Sequence, residues 1–316
     1  METILVFIVF VIGLIIIIKG GDLFVDSAVW IAKKTGIPSM IIGATIVSMA
    51  TTLPEFFVST IASNEGHSGI AVGNAVGSTI CNIALILAFC TLIKPIDVKR
   101  KPFAIKGLIM ILYQITFFIF ASNGMVSFQE GLILIGMFLF YIFVNALEAK
   151  GKNNKLLGLK SKKVKSRKEI VINILKFVVG TLFIVIGAHM LVDSGVKIAH
   201  ILRIPQQVIS LTLIAIGTSL PELVTSLTAI IKGDRNISVG NILGANILNL
   251  SLVLGASAIR AEGGLAISRQ TVFLDMPLSL LIGLIFVSIG FYKGKIDRKL
   301  SILLLAIYMM YMLILF

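Results

Sequence analysis

The chain has 316 residues, of which 57% are hydrophobic and only 14% are charged. A soluble domain carries about 25% charged residues, so the composition excludes an ordinary soluble protein. It predicts an integral membrane protein, with the lipid bilayer as its partner. The net charge of +13 does not indicate nucleic-acid binding, because basic residues also mark the cytoplasmic loops of membrane proteins.

Ten apolar segments follow one another along the chain, and each approaches the roughly 20 residues that a transmembrane helix needs. They cover residues 3–18, 38–63, 70–93, 103–121, 131–147, 171–193, 205–231, 237–259, 271–292 and 300–316. The first segment has neither a basic stretch before it nor a small-residue cleavage site after it. We therefore expect a retained helix rather than a signal peptide.

Lysine and arginine are distributed unevenly between the loops. If the N-terminus lies outside, the inside loops hold most of these residues, including the run from Lys150 to Lys168. The outside loops then hold only Lys197, Arg203, Arg260 and Arg269. This asymmetry predicts a cell-membrane protein with both termini outside and with the 148–170 loop in the cytoplasm.

The basic 148–170 loop divides the chain into two repeats, 1–147 and 171–316, of about five spans each. Adding 167 to a residue number in the first repeat gives its counterpart in the second without gaps. An odd number of spans in each repeat inserts the second one upside down, which is the plan of many secondary transporters. We therefore expect an all-α membrane protein of about ten transmembrane helices in two inverted five-helix repeats, with broken helices at the midplane.

One motif occurs in both repeats, as "TTLPEF" at 51–56 and as "TSLPEL" at 218–223. A carboxylate at the centre of the bilayer is costly unless it is protonated, paired or hydrated. No lysine or arginine lies at a matching depth in the second, third, seventh or eighth span. The motif therefore favours a mobile cation as the partner of Glu55 and Glu222.

Each motif glutamate follows a proline, Pro54 or Pro221, which breaks the helical hydrogen-bond ladder one turn earlier and frees carbonyl oxygens. Four hydroxyl residues stand beside the breaks, namely Thr51, Thr52, Thr218 and Ser219. Carboxylate, carbonyl and hydroxyl oxygens are hard ligands that suit Ca²⁺ and Na⁺ rather than softer metals. The doubled motif therefore predicts a site for hard cations.

The third and eighth spans carry matching polar motifs, "GNAVGSTICN" and "GNILGANILN", whose glycines allow close helix packing. Such packing would bring two polar sets to the glutamates: Asn74, Ser78 and Asn82 near Glu55, and Asn241, Asn246 and Asn249 near Glu222. We expect Asn82 and Asn249 to line the site. Asn74 and Asn241 either line it or tie helix ends.

Two further carboxylates, Asp26 and Asp193, are equivalent residues of the two repeats. Each lies near the end of a predicted span. There a carboxylate can cap a helix or reach water. We expect both to cap helix ends.

These motifs resemble the α-repeats of the sodium/calcium exchanger family, in the calcium/cation antiporter superfamily. The first α-repeat covers 43–90, with "GATIVSMATTLPE" and "GNAVGSTICN", and the second covers 210–257, with "LTLIAIGTSLPE" and "GNILGANILN". The resemblance covers nearly the whole chain. It implies an antiporter that exchanges sodium for calcium by alternating access, with the first and sixth spans as a sliding gate.

By this resemblance, calcium is bound by Glu55, Glu222, Thr51 and Thr218. Sodium sites flank the calcium site, share the two glutamates and use Thr52, Ser219, Ser78, Asn82 and Asn249. Several sodium ions would move against one calcium ion, so transport would be electrogenic. No cofactor is implied.

Three positions depart from the family pattern. Ala245 stands where the family often has serine, which is expected to weaken one sodium site and affects the stoichiometry. Asn249 stands where potassium-dependent and some prokaryotic members carry aspartate, which argues against potassium co-transport and lowers the negative charge of the site. Ala50 and Thr52 stand where the other repeat has Gly217 and Ser219, so the two repeats are not equivalent.

Other functions fit the sequence less well. A calcium/proton antiporter is the main alternative, because the two glutamates can carry protons themselves. Channels usually build their pores from several subunits, whereas this chain encloses its own pseudo-symmetric site, so we expect a functional monomer. An enzyme is not expected, since no Ser–His pair or metal-binding histidine motif lies at membrane depth. Size and resemblance favour the inner membrane of a prokaryote.

Overall fold

The computed structural model describes residues 2–156, 167–201 and 215–315, which form an almost entirely helical protein. The helices are α1 (Glu2–Thr35), α2 (Ser39–Thr51), α3 (Leu53–Asn64), α4 (Ser68–Ile93), α5 (Arg100–Ala121), α6 (Phe128–Leu156), α7 (Arg167–Ile201), α8 (Ala215–Thr218), α9 (Leu220–Ile231), α10 (Arg235–Arg260), α11 (Thr271–Lys293) and α12 (Arg298–Leu315). Two-residue strands are β1 (Ile96–Asp97), β2 (Met125–Val126), β3 (Leu265–Ala266) and β4 (Lys295–Ile296). The prediction of an all-α membrane protein is confirmed.

Eight of the described helices are long and apolar enough to cross a membrane, and α2 with α3 forms a ninth span bent by 45°. These nine correspond to nine of the ten predicted spans. The remaining one, 205–231, begins outside the described residues and ends with α8 and α9. The count of ten therefore stays a prediction.

The first and sixth spans are longer than their apolar segments predicted. Helix α1 has 34 residues and α7 has 35, because no proline interrupts either sequence before Pro38 or Pro205. Asp26 and Asp193 consequently lie inside these helices. The prediction that they cap helix ends is wrong.

Helices α1 and α7 pack closely against each other. A Cβ atom on Gly20 would lie 2.9 Å from the Gly180 carbonyl oxygen, and a Cβ atom on Gly180 would lie 2.9 Å from that of Gly20. The rings of Phe24 and Phe177 follow, with centroids 4.7 Å apart. Since small residues let helix backbones approach, these glycines fix α1 and α7 as a pair.

Helices α4 and α10, which carry the matching polar motifs, lie at the centre of the protein. In their most apolar stretches, 72% and 83% of the residues are buried. Each contains a π-helical turn, at Asn82–Leu87 in α4 and at Asn249–Val253 in α10. Such turns are frequent at functional sites, and both begin at a predicted site asparagine.

The short strands join loops of one repeat to loops of the other. Strand β1 pairs with β4 and β2 pairs with β3, both in antiparallel register. In the predicted topology, an even number of crossings separates the two loops of each pair. This agrees with strand pairing, which requires both loops on the same face of the membrane.

Candidate ion-binding site

Two helix breaks lie at the repeated motif. Thr52 separates α2 from α3, and Ser219 separates α8 from α9. Pro54 and Pro221 explain the breaks, because proline lacks a backbone donor and clashes with the preceding turn. Each proline then occupies the first turn of the next helix, where no donor is needed. The prediction of broken helices at the motif is confirmed.

The breaks place Glu55 and Glu222 in the first turns of α3 and α9. A helix N-terminus carries partial positive charge, which stabilises a carboxylate there. The two side chains approach each other closely enough for the charge of Glu222 to act on Glu55. Two inverted helix starts therefore bring both carboxylates to one place.

The two motif carboxylates have no compensating group in the described part of the chain. Both side chains are 0% exposed, and none of their oxygens has a hydrogen-bond partner there. The ion pairs found in the described part of the chain involve carboxylates other than Glu55 and Glu222. Because an uncompensated buried carboxylate is costly, the site requires a bound cation or proton.

The hydroxyl residues of both motifs are buried or half-buried, as the glutamates are. Thr51, Thr52 and Ser219 are buried, and Thr218 is half-buried. Thr52 Oγ1 has no hydrogen-bond partner among the residues described. Ser219 Oγ donates to Ser78 Oγ of α4 at 3.3 Å, so Ser78 contacts the motif of the opposite repeat.

Asn74 and Asn241, the first asparagines of the two polar motifs, also contact the opposite repeat. Thr51 Oγ1 donates a hydrogen bond to Asn241 Oδ1 at 3.1 Å, and Thr218 Oγ1 donates one to Asn74 Oδ1 at 3.0 Å. The sequence placed Asn241 near Glu222, whereas its bond is to the first repeat. Asn74 also donates to the Glu55 carbonyl oxygen at 3.3 Å. These asparagines therefore position the threonines and tie the motifs to the central helices.

The asparagines at the two π-helical turns differ from each other in their contacts. Asn82 Nδ2 donates to Asn246 Oδ1 at 3.0 Å, while Asn82 Oδ1 has no partner among the described residues. Both polar atoms of Asn249 likewise lack one. Asn246 donates to the Thr79 carbonyl oxygen at 3.1 Å, so its amide is used in helix contacts. Asn82 and Asn249 consequently retain oxygens for a ligand.

Two residues of α9 were not selected from the sequence. Thr225 and Ser226 are 0% exposed, and their hydroxyl oxygens have no partner within the described residues. They follow Glu222 by three and four positions, which places them on its face of the helix. That spacing was the signal that sequence reasoning missed.

The candidate donor set consists of carboxylate, hydroxyl and amide oxygens. No group of three or more histidine, cysteine or acidic side chains suited to a metal occurs among the described residues. Calcium takes six to eight oxygen ligands in flexible geometry, and soft donors are not needed for it. The chemistry of the site therefore suits a hard cation.

Known proteins resemble this chain over nearly its whole length. The sequence profile described as "Sodium/calcium exchanger protein" matches residues 5–147 and 172–316. Sodium/calcium exchanger MaX1 from Methanosarcina acetivorans is 32% identical, over 98% of both chains. Inner membrane protein YrbG from Escherichia coli is 32% identical, over 87% of this chain and 86% of its own.

Solved structures resemble the fold equally well. A structure of the sodium-calcium exchanger NCX_Mj, soaked with Na⁺ and Sr²⁺, superposes with a TM-score of 0.86 at 30% identity and covers 98% of both chains. These matches establish a multi-pass membrane exchanger fold with broken helices. The chain belongs to the sodium/calcium exchanger family.

Proposed function

We propose that this protein exchanges several sodium ions for one calcium ion across the membrane by alternating access. The observation that carries the proposal is the pair of fully buried motif glutamates, whose four oxygens lack hydrogen-bond partners among the described residues. A buried pair of this kind is stable only when its charge is compensated. Family membership supports calcium as one of the compensating ions.

We assign some donor atoms to calcium and others to sodium, as the resemblance to the family implies. Calcium contacts the two glutamates and the hydroxyls of Thr51 and Thr218. Sodium ions share the glutamates and use five further residues, Thr52, Ser219, Ser78, Asn82 and Asn249. The unpartnered oxygens of Thr52, Asn82 and Asn249 support this division. Their side chains are buried, and these atoms have no hydrogen-bond partner among the described residues.

The charge of the site supports electrogenic exchange. With both glutamates ionised, one calcium ion neutralises the pair, and so do two sodium ions. The neutral Asn249 adds no further negative charge. If a third sodium ion also binds, the sodium-loaded carrier is positively charged and the calcium-loaded carrier is neutral, so each cycle moves one net charge.

The gate is the pair formed by α1 and α7, the first and sixth spans. Their close contact at Gly20 and Gly180 supports movement as one unit. The central helices α4 and α10 are fixed by the hydrogen bonds that cross between the repeats. Sliding of the pair past this fixed part would expose the glutamates to one membrane face at a time.

The location follows from the loops. We assign the protein to the inner membrane of a prokaryote, with both termini outside and the 148–170 linker in the cytoplasm between repeats 1–147 and 171–316. The face that carries β1 and β4 then faces the cytoplasm. Lysine and arginine in its loops support this orientation. A monomer suffices, because one chain supplies both glutamates.

Uptake of radioactive calcium into sodium-loaded proteoliposomes at matched pH tests the proposal. The expected result is uptake that requires internal sodium and that responds to an imposed membrane potential. Liposomes without protein, and liposomes loaded with potassium instead of sodium, are the controls. Uptake that ignores the sodium gradient would contradict sodium coupling.

Calcium/proton exchange is the second candidate, supported by the same two carboxylates. Each can bind a proton in place of a sodium ion, and a relative is described as putative antiporter CaxA, from Alkalimonas amylolytica, at 33% identity. This candidate predicts calcium uptake driven by a pH gradient without sodium. The two candidates therefore separate in the same proteoliposomes.

A further inference from the structure

The gate helices pack differently against the motif helices on the two sides of the membrane. On the side of β1 and β4, which we assign to the cytoplasm and call the inner side, α1 lies directly on α9. A Cβ atom on Gly21 would be 2.6 Å from Val224 Cγ1 and 3.1 Å from Thr228 Oγ1. This contact closes the space between the gate and the motif helix on the inner side.

The equivalent space on the outer side is open. A cavity of about 560 Å³ separates α7 from α3 and extends to Pro54, next to Glu55. Its walls include Phe57, Ile61, Leu182 and Val185. The first two are the counterparts of Val224 and Thr228, which are in contact with α1 on the inner side. At equivalent positions, the gate is therefore in contact with the motif helix on the inner side and separated from it by a cavity on the outer side, while both glutamates stay buried.

A charged contact accompanies the inner closure. Lys232, at the end of α9, donates to Asp26 Oδ1 at 2.8 Å and to the Asp22 carbonyl oxygen at 2.9 Å. Its ammonium also lies 3.2 Å from Asp22 Oδ1. The lysine joins the gate helix α1 to the motif helix α9, so the contact must break when the gate leaves α9.

The outer side has no equivalent lysine. Glu65 stands at the position equivalent to Lys232, while His189 and Asp193 stand at those of Asp22 and Asp26. Glu65 and His189 both line the open cavity. The same ion pair therefore cannot form on the outer side, and the stability that it adds acts only on the state in which α1 is closed on α9.

We propose that Lys232 is a positioning residue for transport, which locks α1 onto α9 through Asp22 and Asp26 and biases the carrier toward the state that is closed on the inner side. This inference rests on the alternating-access function proposed above. The lock acts through the position of the gate and not through the ions, since Lys232 contacts neither glutamate. Loss of the lock should raise the population of the inward-open state.

The test measures how readily the inner contact opens. Thr228→Cys places a thiol beneath α1, and the native Cys81 and Cys90 are buried. In lipid nanodiscs a polar maleimide reaches both faces, so the labelling rate reports the opening of the α1–α9 contact without any assumption about orientation. Adding Lys232→Gln should raise this rate about two- to fivefold, the range expected from a partly exposed ion pair.

Three variants make the result specific. Asp26→Lys combined with Lys232→Asp should return the rate to that of Thr228→Cys alone. Lys293→Gln removes an ion pair at the same face, 2.8 Å from Asp297, and should leave the rate unchanged. Asp26→Asn provides a second way to remove the lock if Lys232→Gln does not fold. The proposal would be overturned if Lys232→Gln and Asp26→Asn both left the labelling rate unchanged, or if Lys293→Gln raised it equally.

The labelling needs no ion gradient, so it is independent of the exchange assay. A protein that fails to couple sodium to calcium but shows the lock effect would contradict the proposed function alone. A protein that exchanges the two ions but shows no lock effect would contradict this inference alone.

Discussion

Thr51 and Asn241 lie 190 residues apart in the chain, yet a hydrogen bond of 3.1 Å joins Thr51 Oγ1 to Asn241 Oδ1. Their equivalents, Thr218 and Asn74, form the same bond at 3.0 Å. Each bond ties the motif of one repeat to a central helix of the other. The two repeats therefore build one site rather than two neighbouring ones.

Loss of this bond should weaken calcium binding. Thr51→Val removes a hydroxyl that is both a candidate ligand and the partner of Asn241. A buried hydrogen bond contributes about 1 kcal/mol, so we expect the apparent KM for calcium to rise about fivefold or more. The dependence of the uptake rate on calcium concentration measures this KM. Thr51→Ser keeps the hydroxyl and should remain within about twofold of the original, and a similar loss in Thr51→Ser would argue against this role.

Removal of either motif carboxyl charge should abolish exchange. Glu222→Gln or Glu55→Gln leaves a single carboxylate, so a bound calcium ion would leave an uncompensated positive charge in the buried site. Disruption of a buried charge pair costs about 3–5 kcal/mol, so calcium uptake should fall at least about 100-fold.

The matched control for the glutamate variants is Asp275→Asn. Asp275 is also a buried carboxylate in a membrane helix, but it accepts a hydrogen bond from Tyr311 Oη at 2.9 Å. It already has a protein partner, so this variant should keep exchange. Retained uptake in Glu222→Gln would contradict the site assignment.

A third carboxylate at the site should strengthen calcium binding. Asn249→Asp adds a charge beside the glutamates, and at about 5 Å its gross attraction to another unit charge is about 3 kcal/mol at an effective dielectric constant near 20. We expect the KM for calcium at alkaline pH to fall about tenfold, measured from the concentration dependence of uptake. Asn123→Asp makes the same change in a loop and should have no effect. If the two variants behave alike, Asn249 does not line the site.

The contact between α2 and α10 should tolerate no added methyl group. A Cβ atom on Gly240 would clash with the Met40 carbonyl oxygen. Overpacking of this kind costs about 1–3 kcal/mol, so Gly240→Ala should lower the Tm of the purified protein. Gly136→Ala is the control, because a Cβ atom there meets nothing within 4 Å. Equal Tm values for the two variants would show that α2 and α10 are less tightly packed.

The helical class, the nine described spans and the breaks at the motif could be predicted from the sequence. The physical reasons are local. Apolar length and proline chemistry act locally, so Pro54 and Pro221 can be interpreted without the rest of the molecule. The ungapped repeat adds the inversion. These signals do not depend on which helices are neighbours in space.

Contacts between the repeats could not be predicted in the same way. Close packing of neighbouring spans in one repeat predicts that Asn241 lies near Glu222, whereas the hydrogen bond of Asn241 is to Thr51 of the other repeat. The π-helical turns at Asn82 and Asn249 also carry no periodic signal. For Asp26, the apolar pattern predicts a helix that ends with the apolar segment. The helix continues to Thr35, and Asp26 binds Lys232 instead.

The most direct test of electrogenic sodium/calcium exchange is a current measurement on sodium-loaded proteoliposomes adsorbed to a solid-supported membrane. A jump in external calcium should produce a transient current that carries net positive charge out of the vesicles, because more than two sodium ions leave for each calcium ion that enters. Glu222→Gln should give none. Calcium uptake without any current in the unmodified protein would contradict electrogenic exchange.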